Sequence, residues 1–519
     1  MNPRVTLIDL SHDAYNHMVA TARTCYSARG LVSAEQVGRG NRKKPEAERF
    51  EARDRIASSI FQAGHHTTIQ HAQVRFALEG VSRHFLWSFL HSHPFYNSEQ
   101  VSQRYVPVKD GHWVRPQLSG EAGAKYDEVV TYQSEAYRKL TLRLMDPCRG
   151  EYLKLFPARK NWPSLEAEIL KRAQEISRYL LPLATTAYLH HTVSVLTLLR
   201  YHRLCQTGDA PRETSMVVKS MVDQVLAAEP DYERLFEEAL PADESPEASF
   251  FKAHGGASAE ATAFRAEFDA SLDAKESKLV GYDSGAEGLL ADSVRQVLGR
   301  PSTSLNDDEA LSWALDPAKN RLWGETLNLS SMSALARPLY HPHFSFRRRI
   351  SHTADSQDQR HRMTPASRPS LLAQENGEPD YATPALIAEV PQALQFYQES
   401  MERIWDGIAA FRRAGGSAED ALYLLPNAKR IRYTESADLL NLRHKAAMRL
   451  CYNAQEEIWK ITWQEVLQIR EKLPRLGAAL LPPCNHRKAS GSKPICPEGA
   501  RYCGVPVWKL PLEDYRRSL

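Results

Sequence analysis

The chain has 519 residues, of which 42% are hydrophobic and 25% are charged, close to the usage of ordinary globular proteins. This composition excludes a mainly disordered, collagen-like or coiled-coil protein, and the length corresponds to roughly three to four average domains or two large ones. Lys and Arg number 66 against 63 Asp and Glu, and the net charge of +3 argues against a general nucleic-acid or membrane-surface binder.

The sequence contains no run of about 18 apolar residues that would predict a membrane span. Its first residues, MNPRVTLIDLSHDAYNHM, lack the basic start and apolar core of a secretory signal. We therefore expect a cytoplasmic protein. Seven cysteines are too few for a disulfide scaffold, and in a reducing compartment they remain available to bind metal.

Three regions follow one another along the chain. Residues 1–235 and residues 277–519 each show helical periodicity. Residues 236–276 between them are rich in Ala, Glu and Ser, which is typical of a linker or a solvated helix. The sequence thus predicts two domains joined by a linker, with a tail from about residue 480 onward.

The two long regions resemble each other in the order of their landmarks. Each opens with a short strand, an Asp-containing turn and a helix, and each later has a strand signal, at residues 71–76 and 341–346. Each then contains a Leu-Pro pair, Leu181-Pro182 or Leu425-Pro426, which predicts the start of a long amphipathic helix because proline fits the first helical turn. This order favours a tandem duplication of a mixed α/β domain over two unrelated domains.

Cationic and hydroxyl side chains cluster at two places. The run GHHTTIQHAQVRFALEGVSR at residues 64–83 is followed by Ser102-Gln103-Arg104-Tyr105, and QDQRHR at residues 357–362 is followed by Ser370. Such clusters suit a phosphate or an enolate-like pyrimidine, because a guanidinium is always charged and binds these oxygens with two parallel hydrogen bonds. The alternative for any one cluster is a solvated helix face.

These segments resemble the flavin-dependent thymidylate synthases. The similarity includes ARTCYS at residues 22–27, the pattern RHR-x7-S from Arg360 to Ser370, and Arg449 followed by AQEEI at residues 454–458. It implies mixed α/β subunits in a homotetramer, with FAD and dUMP at shared interfaces, methylenetetrahydrofolate as carbon donor and NADPH as reductant. It also implies methylation of dUMP to dTMP at C5 without a protein nucleophile, the protein orienting and polarising the reactants. With two family copies in each chain, we expect a homodimer.

The resemblance also implies particular nucleotide-binding residues, divided between the two copies. In the second copy they are Gln357, Arg360 and Arg449, of which Arg449 activates the pyrimidine; in the first copy they are Gln100, Ser102, Gln103, Arg104 and Arg178. The counterparts have changed, to His91-Ser92-His93 and Cys205 in the first copy and to Leu372 and Leu422 in the second. Each copy lacks what the other retains, which favours sites composed from both copies over random drift in an inactive duplicate.

The flavin contacts that the resemblance implies are less complete. His65 and Thr67 match the family's GHxT motif, and Arg360, His361 and Arg362 match its RHR motif, whereas Leu335 and Arg337 stand near the GHxT position of the second copy. The family's Asn-Leu-Arg is replaced by Ser194-Val195-Leu196 and Asp438-Leu439-Leu440. These replacements predict a change in how the flavin ring is held or in the substrate.

The C-terminal tail contains Cys484, His486, Cys496 and Cys503. Three thiolates and an imidazole form a ligand set that tetrahedral zinc accepts, with Cys451 as an alternative ligand and free thiols as the alternative to a metal site. Cys25, Cys148 and Cys205 are scattered, and we expect them to be ordinary core or surface residues.

Two other functions stay open on the sequence. The same chemistry would serve a pyrimidine in RNA, DNA or a modified nucleotide, although the small net charge favours a free nucleotide and no membrane partner. A catalytically silent nucleotide-binding scaffold is the second alternative, since several flavin-contact residues have changed. Flavin absorbance of the purified protein separates an enzyme from a scaffold.

Overall fold

The computed structural model describes residues 3–45, 48–109, 111–205, 211–237, 241, 244–254 and 258–517. Helices dominate these residues, and several of them pack on antiparallel sheets. The α-helices in chain order are α1 (Ala14–Thr24), α2 (Ala34–Gly38), α3 (Glu51–Gln62), α4 (Arg83–His91), α5 (Gly120–Leu155), α6 (Leu165–Ser177), α7 (Val195–Leu204), α8 (Arg212–Ala228), α9 (Pro246–His254), α10 (Ser258–Ser271), α11 (Ala286–Leu298), α12 (Asp307–Leu315), α13 (His352–Asp358), α14 (Ala385–Glu389), α15 (Pro391–Arg413), α16 (Ala418–Leu422), α17 (Leu439–Arg449), α18 (Glu456–Lys472), α19 (Pro474–Ala478) and α20 (Pro483–Ala489). No helix within the described ranges is long and apolar enough to cross a membrane.

The chain divides into two compact units that do not follow the order of the sequence. Unit 1 comprises Met1–Tyr126, Pro182–Gly256 and Phe411–Leu424, and unit 2 comprises Asp127–Leu181, Ala257–Ala410 and Leu425–Leu519. Unit 1 therefore includes a short segment from the second copy. Unit 2 includes a longer segment from the first copy.

Unit 1 contains a four-stranded antiparallel sheet. Its strands are β1 (Arg4–Leu10), β2 (Gln73–Ser82), β3 (Asn97–Gln100) and β4 (Thr186–Ser194), in the order β1-β2-β4-β3. Burial alternates along β2 and β4, so one face of the sheet packs on the core. A bulge interrupts β2, and Gly80 with φ 69° supplies the left-handed backbone there.

Unit 2 contains a three-stranded antiparallel sheet of the same design. Its strands are β5 (Ser277–Tyr282), β6 (His343–Ser351) and β7 (Arg430–Asp438), in the order β5-β6-β7. Helix α18 packs against β5 in unit 2, and α8 packs against β1 in unit 1. The predicted mixed α/β fold in two copies is confirmed.

A glutamine at the same place in each copy binds the edge strand. The amide of Gln224 on α8 accepts from Leu7 N at 2.6 Å and donates to Val5 O at 2.8 Å. The amide of Gln468 on α18 accepts from Leu279 N and donates to Ser277 O, both at 3.0 Å. Each side chain satisfies backbone groups that an edge strand leaves unpaired. Gln224 and Gln468 are therefore equivalent residues of the two copies. On this basis the segment from Tyr179 to the end of α8 aligns with the segment from Tyr423 to the end of α18.

The prediction of a helix after each Leu-Pro pair is wrong. A tight turn follows the prolines, with Thr185 N donating to Pro182 O at 3.0 Å and Lys429 N to Pro426 O at 2.8 Å. The strands β4 and β7 come next, because buried and less buried side chains alternate with a period of two there. The long helices α7 and α17 begin only after these strands.

The segment at residues 236–276 includes α9 and α10. Helix α10 is anchored within unit 2, where Arg265 is buried and donates to Gln374 O at 2.9 Å. Asp269 on the same helix receives two hydrogen bonds of 2.8 Å from Arg432 on β7. These contacts attach the end of this segment to the sheet of the second copy.

Candidate functional site

Arg449 occupies the last turn of α17 in unit 2, where two groups hold its guanidinium. Nη2 donates to the carbonyl of Gln357, and Nε lies 3.4 Å from Oδ1 of Asp358. The side chain is 12% exposed, so it is largely enclosed yet still reaches the surface of the unit. A cation fixed in this way is prepared to stabilise negative charge on a bound molecule.

Asp358 is itself held by a buried network of charges. Its Oδ2 accepts from Nη1 of Arg348 at 2.6 Å and lies 2.8 Å from Nζ of Lys445. Arg348 also forms two hydrogen bonds of 2.7 Å with Glu465, and Lys445 is paired with Glu435. These cations hold the pKa of Asp358 well below its usual range, against the opposing effect of burial. The carboxylate therefore stays ionised and orients Arg449.

The first copy has lost this network. In the common alignment of the copies, Arg348, Asp358, Glu435, Lys445 and Glu465 correspond to Leu78, Phe89, His191, Tyr201 and Met221. Phe89 and Tyr201 form an aromatic contact at 4.6 Å between ring centroids, and His191 bonds the Tyr201 hydroxyl at 3.2 Å. Cys205 stands at the position of Arg449 and is buried. These aligned positions of the first copy therefore provide no carboxylate to orient an activating arginine.

Residues of the first copy join the second copy inside unit 2. Arg178 is 3% exposed, and its carbonyl accepts from Nδ2 of Asn427 at 3.0 Å. The neighbouring Tyr179 hydroxyl donates to Glu457 and accepts from Nε2 of Gln455 at 2.5 Å. Gln455 in turn accepts from the amide of Gln357. Hydrogen bonds therefore connect Tyr179 of the first copy to the residue that contacts Arg449.

Unit 1 contains the reciprocal exchange, in which the second copy contributes a tyrosine to the first. There the Tyr423 hydroxyl, from the second copy, donates to Glu213 of the first copy at 3.0 Å. Glu213 also accepts from the backbone and hydroxyl of Ser82, as Glu457 does from Ser351. The two copies therefore share the same hydrogen-bond arrangement around a buried glutamate, and burial raises the pKa of both glutamates.

The other predicted nucleotide-binding residues belong to unit 1. Gln100 ends β3 and accepts from Nη1 of Arg83 at 3.4 Å, and Ser102 Oγ accepts from Arg104 N at 3.2 Å in the turn that follows. Gln103 lies in the same turn and is partly buried. Among the predicted residues, the structure brings Arg178, Gln357 and Arg449 into unit 2, together with Arg360. The loop residues Gln100, Ser102, Gln103 and Arg104 lie in unit 1.

The residues predicted to hold flavin fall into two groups. His65 and Thr67 are exposed, at the start of a short 3-10 segment in unit 1. Arg360 and Arg362 are exposed directly after α13 in unit 2, and His361 between them is buried. Burial and the nearby Arg449 hold the pKa of His361 well below its usual range, and its Nε2 makes no hydrogen bond with any described residue. Two exposed guanidinium groups beside a neutral imidazole with an unused nitrogen fit the pyrophosphate and ring heteroatoms of FAD.

The replacement of Asn in the family's Asn-Leu-Arg has a local structural explanation, whereas the structure gives none for the replacement of Arg by Leu196 and Leu440. Ser194 is the N-cap of α7 and its side chain accepts from Thr197 N. Asp438 is the N-cap of α17 and accepts from Asn441 N. Ser, Asp and Asn are nearly equivalent at this position, so the substitutions preserve the start of both helices.

The four predicted zinc ligands do not form one group. His486 is buried on α20 and its Nδ1 faces Nη2 of Arg443 at 3.3 Å. Burial and the thiols of Cys451, Cys496 and Cys503 raise the pKa of Cys484 to about 12, so these four cysteines lie within electrostatic reach of one another. Across the described ranges, no set of three or more His, Cys, Asp and Glu side chains has the arrangement of a metal site. Zinc in the tail stays a prediction, with Cys451 favoured over His486.

Three side chains that contact or support the predicted site residues were not indicated by the sequence: Asp358, Lys445 and Tyr179. An alignment of the two copies could have indicated Asp358 and Lys445, because they are charged where the first copy has the aromatic residues Phe89 and Tyr201. Tyr179 adjoins Arg178 and has Tyr423 as its counterpart, but its role depends on an exchange between copies that no local pattern reveals.

Both copies of this chain are similar to known proteins. The chain matches the family Thy1, described as thymidylate synthase complementing protein, over residues 6–231 and again over 278–475. A flavin-dependent thymidylate synthase from Clostridium tetani is 26% identical over 236 residues, covering 44% of this chain and 85% of the relative. The enzyme of that name from Saccharolobus solfataricus is 24% identical over 212 residues, covering 40% and 77%.

A solved structure was also found. The UMP/dUMP methylase PolB from Streptomyces cacaoi, bound with 5-Br dUMP, is 17% identical with a TM-score of 0.31, covering 45% of this chain and 94% of that one. The two regions matched to the family span most of the chain. The chain therefore belongs to the thymidylate synthase complementing protein family, whose region it contains twice in tandem.

Proposed function

We propose that this protein is a flavin-dependent methyltransferase that converts dUMP to dTMP. Methylenetetrahydrofolate transfers its methylene carbon and is released as tetrahydrofolate, and NADPH supplies the hydride that reduces this carbon to a methyl group. The C5 hydrogen of uracil leaves as a proton, so a C5–CH₃ bond replaces the C5–H bond. The observation that supports this best is the fixed guanidinium of Arg449, held by Asp358 and the Gln357 carbonyl. At the equivalent position of the first copy, this supported arginine is replaced by the buried thiol of Cys205.

Arg449 activates the pyrimidine in this proposal. Its charge stabilises the negative charge that develops on the uracil ring when C5 becomes nucleophilic. Asp358 keeps the guanidinium oriented. It is a poor base, because Lys445 and Arg348 hold its pKa well below the usual range and so weaken its affinity for a proton. Gln357 fixes the other side of Arg449 through its carbonyl.

FAD, when bound, supplies the redox chemistry that carries electrons from NADPH to the transferred carbon. The residues of this chain that would hold it are Arg360, His361 and Arg362, with His65 and Thr67 as the predicted motif of the first copy. His361 is neutral, so it offers one hydrogen-bond donor and one acceptor nitrogen rather than a further charge.

We propose further that the nucleotide site uses residues of both copies. Arg178 and Tyr179 of the first copy share unit 2 with Gln357, Gln455 and Arg449 of the second, which supports this division. The roles of Gln100, Ser102, Gln103, Arg104 and Arg178 in holding phosphate and ribose, and that of Arg360, follow from the family resemblance. Substituting Arg104 tests the role of this loop, because the second copy has Leu372 at the equivalent position and offers no replacement charge.

We propose a cytoplasmic homodimer, since two chains with two copies each rebuild a four-subunit assembly. Light scattering that gave a monomer or a four-chain particle would contradict the dimer. Mixing an Arg449→Ala chain with an Arg104→Ala chain adds a second test. Recovered turnover on mixing would mean that the two residues act from different chains.

The central experiment measures flavin and turnover on the purified protein. We expect visible flavin absorbance, or its appearance after FAD is added, and dTMP formation that requires NADPH and methylenetetrahydrofolate. UMP and a uracil-containing oligonucleotide serve as competing acceptors. Absence of flavin binding contradicts the enzyme, whereas flavin binding with methylation of another acceptor contradicts dUMP alone.

A further inference from the structure

A cleft of about 320 Å³ opens in unit 2 between α12, α19 and α20. Its walls are apolar, formed by Leu311, Leu315, Ala478 and Leu481 among others. His486 also lines it and was predicted from the sequence as a zinc ligand. The cleft contains none of the residues assigned above to nucleotide or flavin.

The tautomer of His486 follows from its neighbour. Its Nδ1 lies 3.3 Å from Nη2 of Arg443, and a guanidinium can only donate hydrogen bonds. Nδ1 is therefore the acceptor, and Nε2 carries the hydrogen of the neutral ring. The Leu481 carbonyl also lies near the ring, yet Nε2 makes no hydrogen bond of ordinary length and angle with any residue the structure describes. A donor that is 96% buried is thus unused at the cleft, since His486 is 4% exposed.

Arg443 lies behind the same wall and lacks a counterion. It is 1% exposed and donates to Ala479 O at 3.2 Å and to Leu315 O at 3.5 Å, two residues that line the cleft. Its Nη1 has no acceptor among the described residues, and none of the Asp and Glu side chains in those ranges pairs with it. The guanidinium stacks on the Trp323 ring, 3.0 Å from its centroid, which compensates part of the cost of burying the charge. Because no anion is paired with it, the region behind this wall still favours negative charge.

The mouth of the cleft does not oppose an anion strongly. Asp308 is paired with Nη2 of Arg475 at 2.6 Å, and Arg475 also lies 3.9 Å from Glu287. The carboxylate of Asp316 accepts from Ala318 N at 2.8 Å. The acidic groups at the rim are therefore partly neutralised, while the inner donors are not.

We propose that this cleft binds a small organic carboxylate with an apolar body, separately from the nucleotide site. Its oxygens accept from Nε2 of His486 and face the charge of Arg443, and its apolar part fills the space between α12 and α19. A simple phosphate fits less well, because it gains nothing from the apolar walls.

The test uses the full-length protein with phenylacetate as probe and phenylacetamide as the neutral compound of the same shape, measured by ligand-observed NMR titration. Two variants perturb the cleft. His486→Phe removes the donor at similar volume, and Ala478→Trp blocks the cleft from an exposed position. Ala158→Trp, at another exposed alanine of unit 2, is the matched control.

We expect saturable binding of phenylacetate that weakens at least about tenfold in both cleft variants and is unchanged in the control. In His486→Phe the ligand loses a hydrogen bond to its charged group, a loss of this size. In Ala478→Trp the new side chain fills the space that the ligand needs. Phenylacetamide should bind at least about tenfold more weakly. No saturable binding, or binding that both cleft variants leave unchanged, overturns the site. Equal binding of the amide overturns its preference for an anion. None of these outcomes depends on dTMP formation, so failure here leaves the proposed function intact.

Discussion

Replacing Arg449 should abolish most turnover while leaving the fold intact. The guanidinium is held by the Gln357 carbonyl and by Asp358, so it meets the substrate in a fixed orientation. Loss of one such donor to a developing oxyanion costs ~2–4 kcal/mol, which lowers the rate about 30- to 1000-fold. Arg449→Ala should show this full effect. Arg449→Lys should recover only part of the rate, since an ammonium cannot reproduce the planar contacts.

The structure also limits how much stability this substitution removes. Asp358 keeps its contacts with Arg348 at 2.6 Å and with Lys445 at 2.8 Å when Arg449 is absent. Its contact with Arg449 is longer, at 3.4 Å. The carboxylate therefore remains compensated, and we expect the free energy of unfolding to fall by only about 1 kcal/mol. A rate loss of two orders of magnitude cannot then be attributed to unfolding.

The assay is dTMP formation at saturating dUMP, methylenetetrahydrofolate and NADPH, together with a thermal melt of each variant. Cys205→Ala is the matched control, because Cys205 occupies the same position in the first copy. We expect it to retain nearly full turnover. Arg449→Ala activity within threefold of the unmodified protein, or an equal loss in Cys205→Ala, would refute the assignment of the activating residue.

Three further predictions concern the fold and the tail. Tyr179→Phe should lower the free energy of unfolding by about 1–3 kcal/mol, because the buried Glu457 carboxylate and the Gln455 amide each lose a hydrogen-bond partner. Tyr423→Phe, which removes a partner of Glu213, should have a similar effect. An unchanged thermal melt for both variants would contradict the exchange between copies. Burial lowers the pKa of His84 to about 4, so the stability that the neutral ring contributes is present above the unfolded pKa near 6.5 and is lost as the pH falls toward 4. Chemical denaturation between pH 4 and 6.5 should therefore show a smaller change of unfolding free energy with pH in His84→Phe than in the unmodified protein. The same pH dependence in both proteins would contradict a contribution from His84. One zinc per chain should be detected by elemental analysis, lost in Cys484→Ser and retained in His486→Phe; absence of stoichiometric metal removes the tail thiols from consideration.

The copies themselves could be read from the sequence because their signals are local. Residues 71–76 and 341–346 alternate between apolar and polar, and strands begin within both segments, at Gln73 and His343, and continue beyond them. The motif residues that suggested the family are also close together in sequence, as in Arg360 to Ser370. The Leu-Pro pairs misled, because proline fits both a helix start and a tight turn, and only the period-two pattern that follows decides between them.

The partners of the site residues could not be read from the sequence, because they depend on long-range packing. Nothing near Arg449 indicates that Asp358 orients it, or that a buried network of Arg348, Glu435, Lys445 and Glu465 keeps Asp358 ionised. His486 looked like a metal ligand among cysteines, yet burial beside Arg443 gave it another neighbour.

The sequence by itself determined the family, the duplication and the residues retained by only one copy. Only the tertiary structure decided that residues 127–181 of the first copy belong to unit 2, which brings Tyr179 to Gln455, and that residues 411–424 of the second copy belong to unit 1, which brings Tyr423 to Glu213. The physical reason is the range of the interactions. Side-chain periodicity and caps act over a few residues and are visible in the chain, whereas burying a charged or hydroxyl group is favourable only when distant residues supply its partners.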